Sequence, residues 1–262
     1  MAIDDQPLIV ELQHWFDSPV GRYVHRWEQR RIDDLLVDVF GYRAVQYGLA
    51  DFNYLAANRM PFKAYAGPLA LSTPQRVGWQ ASLVCEPEQL PFDSDSLDLL
   101  VLPHTLETAR DQHMVLREAH RVLMPEGRLV IAGFNPWSLW GLRDRLPWVS
   151  QWFPEGGEGE LSPSRIKDWL RLLSFEIDRG HFGCYAPPCR TVRWLDRFAF
   201  MESAGDRWWP IFGATYVVSA VKRVQGMRLI TPAWKRKSRR RSARAAAGVT
   251  AQRQSNWIDR SI

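Results

Sequence analysis

The chain has 262 residues, 46% of them hydrophobic, with 17 glycines, 17 prolines and three cysteines. That composition excludes collagen-like, disordered and disulfide-scaffold classes and fits one or two globular domains. The net charge of +5 is unevenly placed: from Lys235 onward nine Lys/Arg stand against one acid, leaving 25 basic and 28 acidic groups before it. Basicity therefore belongs to the tail and says nothing about the body of the protein.

Cys85, Cys184 and Cys189 form no CxxC pair, so neither a disulfide framework nor a zinc site is indicated, and no metal is expected. The opening MAIDDQPLIVE is acidic where a secretory signal needs positive charge. The longest apolar stretch, 128–142, is interrupted by Asn135 and Pro136 and falls short of the roughly 20 residues of a membrane helix. The expectation is a cytoplasmic protein without a membrane span.

Residues 22–40 place Val24, Trp27, Ile32, Leu35, Leu36, Val39 and Phe40 at mostly i, i+3/i+4 spacing, which predicts an amphipathic helix stopped by Gly41. YRAVQY (42–47) then reads as a short buried strand ending at Gly48. Residues 49–80 are broken by Pro61, Gly67, Pro68, Pro74 and Gly78, with a short strand at 62–66. Further apolar runs at 81–85, 97–102 and 128–133 predict three strands. A helix capped by Asp111, with Val115, Leu116, Ala119, Val122 and Leu123 on one face, precedes the last and stops at Pro125 and Gly127. Near-continuous apolar runs alternating with helices indicate a parallel α/β sheet buried on both faces. After a loop rich in Gly and Glu at 155–160, Ser162 and Pro163 open another helix with Ile166, Trp169, Leu170 and Leu173 inward. Segments 175–178 and 214–222 predict two late strands, able to pair antiparallel at the sheet edge. Residues 1–225 form the expected domain; 226–262, with few apolar residues and like charge, form a basic tail predicted to be disordered.

Residues 84–133 read VCEPEQLPFDSDSLDLLVLPHTLETARDQHMVLREAHRVLMPEGRLVIAG. In order they hold an acid (Glu86), Leu90-Pro91-Phe92, a polar turn, Leu97-Asp98, a helix with Arg117-Glu118 and Arg121-Val122-Leu123, and a turn at Pro125-Glu126-Gly127. This order and spacing resembles the class I S-adenosylmethionine (SAM)-dependent methyltransferases, type 11 (UbiE-like) group. FNPWSLWGLR (134–143) is similar to the bacterial YafS-like branch of that group. The resemblance covers about residues 22–223.

The resemblance implies a doubly wound, mostly parallel seven-stranded sheet with helices on both faces, and S-adenosyl-L-methionine in a crevice at the carboxyl ends of its strands. It implies that the loop carrying Gly48, Leu49 and Ala50 passes under the methionine part. Glu86, next to Pro87, accepts from the adenine amino group, and Pro103 and His104 lie near the sulfonium. His104 is the candidate general base, its alternative being a histidine that satisfies a backbone carbonyl; Glu107 beside it is equally a helix-initiating acid. Phe134, Asn135, Trp137 and Trp140 are the expected acceptor pocket, with Trp148 a further wall. Asn135-Pro136-Trp137 only superficially matches the NPPY/W motif of amino-group methyltransferases. The acceptor is a small molecule or RNA, and residues 235–244 offer a weak phosphate contact. The alternatives are an inactive methyltransferase-like binding protein and a nucleic-acid-binding protein acting through the tail.

Two departures stand out. Of the GxGxG pattern expected after the first strand only Gly48 survives in Gly48-Leu49-Ala50-Asp51-Phe52, and Phe52 is bulky. Between Phe52 and Cys85 there is no Asp or Glu to hold the ribose hydroxyls, with Asn53, Asn58 or Gln80 as neutral replacements. The missing charged bonds correspond to roughly 1.5–3 kcal/mol each.

Overall fold

Strands whose two faces are both covered show as apolar runs, and each such run of the sequence is a strand in the computed structural model. The structure describes residues 8–72, 78–145, 153, 161–187, 197, 198 and 200–223, all within the compact unit Met1–Val224. The loop 155–160, Trp148, Cys189 and the basic tail lie outside the described residues. The strands are β1 (Arg43–Tyr47), β2 (Phe62–Gly67), β3 (Ala81–Val84), β4 (Leu97–Pro103), β5 (Leu123–Phe134), β6 (Phe175–Gly183) and β7 (Thr215–Lys222). They form one seven-stranded sheet in the order β3-β2-β1-β4-β5-β7-β6. The first five run parallel, and β7 is antiparallel to both β5 and β6. The two late strands therefore pair antiparallel, as expected, and β6 extends five residues beyond its predicted end.

The helices are α1 (Leu8–Phe16), α2 (Pro19–Leu36), α3 (Thr105–Thr108), α4 (Gln112–Val122), α5 (Leu139–Asp144), α6 (Pro163–Leu172) and α7 (Phe200–Trp208). Asp111 caps α4 by accepting from the N–H groups of His113 and Met114, and Ser162 caps α6 with Pro163 at its first position. The same device opens α2: Ser18 accepts from Gly21 N–H and Pro19 follows. That signal moves the helix start ahead of the predicted Arg22, and the helix ends at Leu36, short of Phe40. Nor does α4 reach Pro125; it passes into β5 at Leu123, with a register shift between Leu97 and Leu99 in the pairing with β4.

Period-two alternation sends Val45, Tyr47, Leu100 and Leu102 to one face of the sheet, against Val115, Leu116 and Ala119 of α4 and Ile166 and Leu170 of α6. Ala44, Leu99, Val101 and Val130 face the other way, against Leu12 and Phe16 of α1, Val24 and Ile32 of α2, and Trp140 of α5.

The family-like segment is held together by its own polar residues. Arg121 donates to both carboxylate oxygens of Glu118 (2.9 and 2.8 Å) and to the carbonyls of Leu90 and Phe92 (2.9 and 2.8 Å). Glu118 in turn accepts from Leu90 N–H, 3.2 Å away. The helix pair Glu118/Arg121 thus clamps Leu90-Pro91-Phe92, which explains why these pieces of sequence occur together. Asp98 does the same for β1, accepting from the N–H groups of Tyr42 and Arg43 at 2.9 Å.

Candidate active site

In a doubly wound sheet the binding crevice opens where neighbouring strands lead their connections in opposite directions, outside the carboxyl ends. Here that point lies between β1 and β4. From β1 the chain moves out to β2 and β3; from β4 it moves the other way to β5. Gly48 follows β1, Glu86 and Pro87 follow β3, and Pro103 and His104 end β4, so the sequence-expected cofactor residues meet at one end of the sheet.

Gly48 has φ +72°, and Leu49 continues in the left-handed region at +45°. The loop is fixed from below by Gln46, a buried amide on β1. Its Nε2 approaches the carbonyls of Gly48 (3.3 Å), Leu49 (3.3 Å) and Phe52 (2.7 Å), and its Oε1 accepts from Tyr54 N–H at 2.8 Å. The loop carbonyls therefore turn toward β1. Among the described residues, the N–H groups of Leu49 and Ala50 meet no backbone acceptor. The bulky Phe52 turns toward the helices: its ring stacks on His25 of α2, 3.8 Å between centroids, and meets Phe16 of α1 edge-on at 5.5 Å.

The end of β2 carries no acid. Gly67-Pro68-Leu69 occupy that position, and a Cβ on Gly67 would meet the Tyr65 hydroxyl. Of the neutral replacements, Asn58 is spent on the carbonyls of Leu36 and Val39 and on Met60 N–H. Gln80 accepts from Lys63 N–H, and Asn53 from Leu55 N–H. Glu86 is exposed, beside the Cys85 carbonyl that accepts from Tyr47 Oη at 3.0 Å.

His104 is the structural centre of the site. It is buried, left-handed (φ +52°), and its Nε2 lies 2.9 Å from Glu28 Oε1 and its Nδ1 2.6 Å from Glu107 Oε2. Both neighbours are acceptors, so both ring nitrogens carry protons. Burial opposes the charge, but the two carboxylates overcome it and push the imidazole up to about 10. Glu28, fully buried on α2, also accepts from Thr215 Oγ1 (2.6 Å) and Tyr54 Oη (3.2 Å). Glu107 accepts the N–H of Phe134. One imidazolium between two carboxylates thus ties α2, β4, β5 and β7 together. Glu28 was not singled out in the sequence, yet Val20, Val24, Glu28 and Ile32 follow at i+4, so a carboxylate falls on the buried stripe. That was the available signal.

The expected acceptor residues separate into different environments. Asn135 is buried and its side chain is fully engaged: Nδ2 donates to the carbonyls of Ile211 (2.7 Å) and Gly213 (2.9 Å), and Oδ1 accepts from Trp137 N–H (3.1 Å). Trp140 is buried, its indole N–H donating to Ala186 carbonyl at 2.8 Å. Trp137 is exposed with the Arg145 guanidinium over its ring. Phe134 packs against Trp15 (5.0 Å), His104 (4.3 Å) and Phe153 (4.7 Å), and Phe153 leads on to Trp140 and from there to Tyr23. Aromatic rings from α1, α2, α5 and β5 therefore form a continuous wall beside the imidazolium. Tyr23 donates to Glu202 of α7, which also accepts from Cys184 and Tyr185 N–H; burial and the nearby Cys184 and Glu202 push the Tyr23 hydroxyl well above its ordinary value.

The sheet order, the single antiparallel strand β7 and the crevice between β1 and β4 define the Rossmann-like fold of class I methyltransferases. Residues 67–131 match the family described as "Methyltransferase domain", type 11. The uncharacterized protein YafS of Escherichia coli (strain K12) is 32% identical over 163 residues, which span 62% of this chain and 65% of YafS, just under two thirds of that relative's length. Among solved structures, a SAM-dependent methyltransferase of Thermotoga maritima superposes with a TM-score of 0.60 at 19% identity, covering 82% of this chain and 96% of the other. A chain from the Haloferax volcanii complex of the Trm112 methyltransferase activator and a methyltransferase gives 0.58 at 16% identity, covering 84% and 99%. Geranyl diphosphate C-methyltransferase of Streptomyces coelicolor A3(2), in a complex that includes S-adenosyl-L-homocysteine, gives 0.50 at 19% identity, covering 78% and 84%.

Proposed function

We propose that this protein is a SAM-dependent methyltransferase that holds its cofactor over the carboxyl ends of β1, β3 and β4 and aligns an acceptor for in-line attack. The observation that carries this reading is the loop after β1. Its carbonyls are turned down onto Gln46; Leu49 is fully buried, and the N–H of the half-buried Ala50, which meets no backbone acceptor, is left to an outside one such as the carboxylate of a bound amino acid. Glu86 is the acceptor available to the adenine amino group. These two ends fit SAM; the ribose position, with no acid on β2, does not, and binding is expected about ten- to a hundredfold weaker than with a carboxylate there.

SAM, when bound, supplies a methyl group already activated by its sulfonium charge, so the chain has chiefly to align the reactants and exclude water. Phe134, Trp140, Trp15 and Tyr23 serve the second task and favour a small acceptor with apolar or aromatic surface. His104 works as a positioning residue: with both nitrogens bound to carboxylates, it fixes the end of β4 and keeps Glu28 and Glu107 paired beneath the site.

A second reading, a methyltransferase scaffold that no longer takes cofactor, is favoured by one contact. Ile9 Cδ1 of α1 lies 3.1 Å from the point where a Cβ on Gly48 would stand. Calorimetric titration of S-adenosylhomocysteine into the full chain separates the two. Saturable heat that weakens in Glu86→Ala supports the enzyme, while no heat at millimolar ligand leaves only the scaffold.

A further inference from the structure

The connection between β6 and β7 carries a surface that neither the crevice nor the core explains. Trp208, Trp209, Pro210, Ile211 and Phe212 are five consecutive apolar residues ending α7 and forming the turn after it, and all five are exposed, Trp208 at 73% and Ile211 at 63%. Phe200 at the other end of α7 is exposed as well. On the far side of Asn135, the segment after β5 adds exposed Trp137, Leu139 and Leu142. Scattered apolar side chains are normal on any surface; a run of this length with two adjacent tryptophans is not.

The main chain under these rings is pinned rather than solvated. Trp209 N–H donates to Gly205 carbonyl and Phe212 N–H to Trp209 carbonyl, while Tyr185 Oη donates to Pro210 carbonyl at 2.8 Å. Asn135 Nδ2 donates to the carbonyls of Ile211 and Gly213. The carbonyls of Trp209, Pro210 and Ile211 can thus enter an apolar medium already paired, which is the requirement that lipid imposes and water does not. Glu202, an acid of α7, is turned inward onto Tyr23, Cys184 and Tyr185, leaving Asp206 and Arg207 beside the run. The same chain holds seven Lys/Arg within residues 235–244, and the 12 residues from Arg223 to Trp234 extend at most roughly 40 Å.

We propose that the exposed turn 208–212 seats this protein on the surface of an anionic lipid bilayer, the tryptophans at the headgroup level and the basic segment 235–244 providing the electrostatic attraction. Trp at the water–lipid boundary and a polybasic segment are the two signals that together give stable peripheral binding where either alone is marginal. No helix of the described residues is long and apolar enough to cross a membrane, so the contact is one of lying on the bilayer.

The test is co-sedimentation of the full chain with vesicles of phosphatidylcholine alone and with about 30% phosphatidylglycerol added, at low and high salt. Two full-length variants accompany it: Trp208→Ser/Trp209→Ser, and one with the Lys/Arg of 235–244 changed to Gln. Circular dichroism verifies that both remain folded, as the exposure of Trp208 and Trp209 leads one to expect of the first. The expected result is binding to the anionic vesicles only, released by salt, with partitioning reduced about tenfold or more in each variant. The proposal is overturned if the tryptophan variant binds anionic vesicles like the parent. Retention of the parent by RNA with no vesicle binding also overturns it. So does a dimer that the tryptophan variant converts to monomer while vesicles capture neither.

Discussion

Replacing Glu28 by Gln tests the buried charge network at its least replaceable member. Glu28 accepts from His104 Nε2, Thr215 Oγ1 and Tyr54 Oη without contact with water. Its loss as a counter-charge leaves the imidazolium with Glu107 alone, and breaking a buried pair in this way destabilises by about 3–5 kcal/mol. The pH profile gives a second readout. With the native imidazole pushed up to about 10 and the unfolded one near 6.5, stabilisation from His104 is complete below pH 6.5. It declines as pH rises and is gone above about 10, with a slope of about 1.4 kcal/mol per pH unit between the two values. His25, His120 and His181 are held low, mainly by burial, and act below that window; the tyrosines act above it, and the buried Cys184 thiol, raised from its ordinary 9.0, adds to the fall only toward the window's upper end. Urea unfolding of the parent between about pH 7 and 8.5 should therefore show stability falling by about 2 kcal/mol. Glu28→Gln should start lower and show a shallower fall. A parent whose stability is level across this window, or a variant weakened by less than about 1 kcal/mol with the slope intact, would refute the reasoning.

Three further outcomes follow from single contacts. Gln46→Leu strips the amide from the carbonyls of Gly48, Leu49 and Phe52 and from Tyr54 N–H; a loss of about 2–4 kcal/mol in urea unfolding is expected, with faster hydrogen exchange in residues 48–54. Gly48→Ala places a side chain at φ +72° and against Ile9, so thermal unfolding should register about 1–2 kcal/mol of destabilisation, with weaker S-adenosylhomocysteine binding by calorimetry. Lys222→Met removes an ammonium, nearly buried at the end of β7, that donates to Asp95 (2.6 Å) and to the carbonyls of His120 and Leu123 (2.7 Å each) at the end of α4; about 2–3 kcal/mol should be lost by chemical denaturation.

The central strands β1, β4, β5 and β7 were legible because strands covered on both faces have few polar positions to blur them, and α4 and α6 because Asp111 and Ser162 announce their starts. The short α1 lacks such a signal, as its nine residues, LIVELQHWF, show no polar face wide enough to set a period. At the site, Gly48, Glu86 and His104 could be placed by motif order, since order fixes which strand ends they follow. What Gln46 and Glu28 do could not, because both act across elements distant in sequence: Gln46 read as one residue of a buried strand and Glu28 as one charge among many on α2. Asn135 shows the reverse. Its position after β5 suggested a pocket, but its side chain fastens the turn before β7. That turn, WWPIF, reads as packing material by composition, and only the fold reveals that its side chains face outward.

The central claim is that the crevice between β1 and β4 receives SAM, and a crystal structure of the full chain grown with S-adenosylhomocysteine tests it most directly. The account predicts the amino-acid carboxylate against the N–H of Ala50, the adenine beside Glu86, and Ile9 moved off Gly48. A crevice still covered by Ile9 and empty of ligand at millimolar concentration would contradict it.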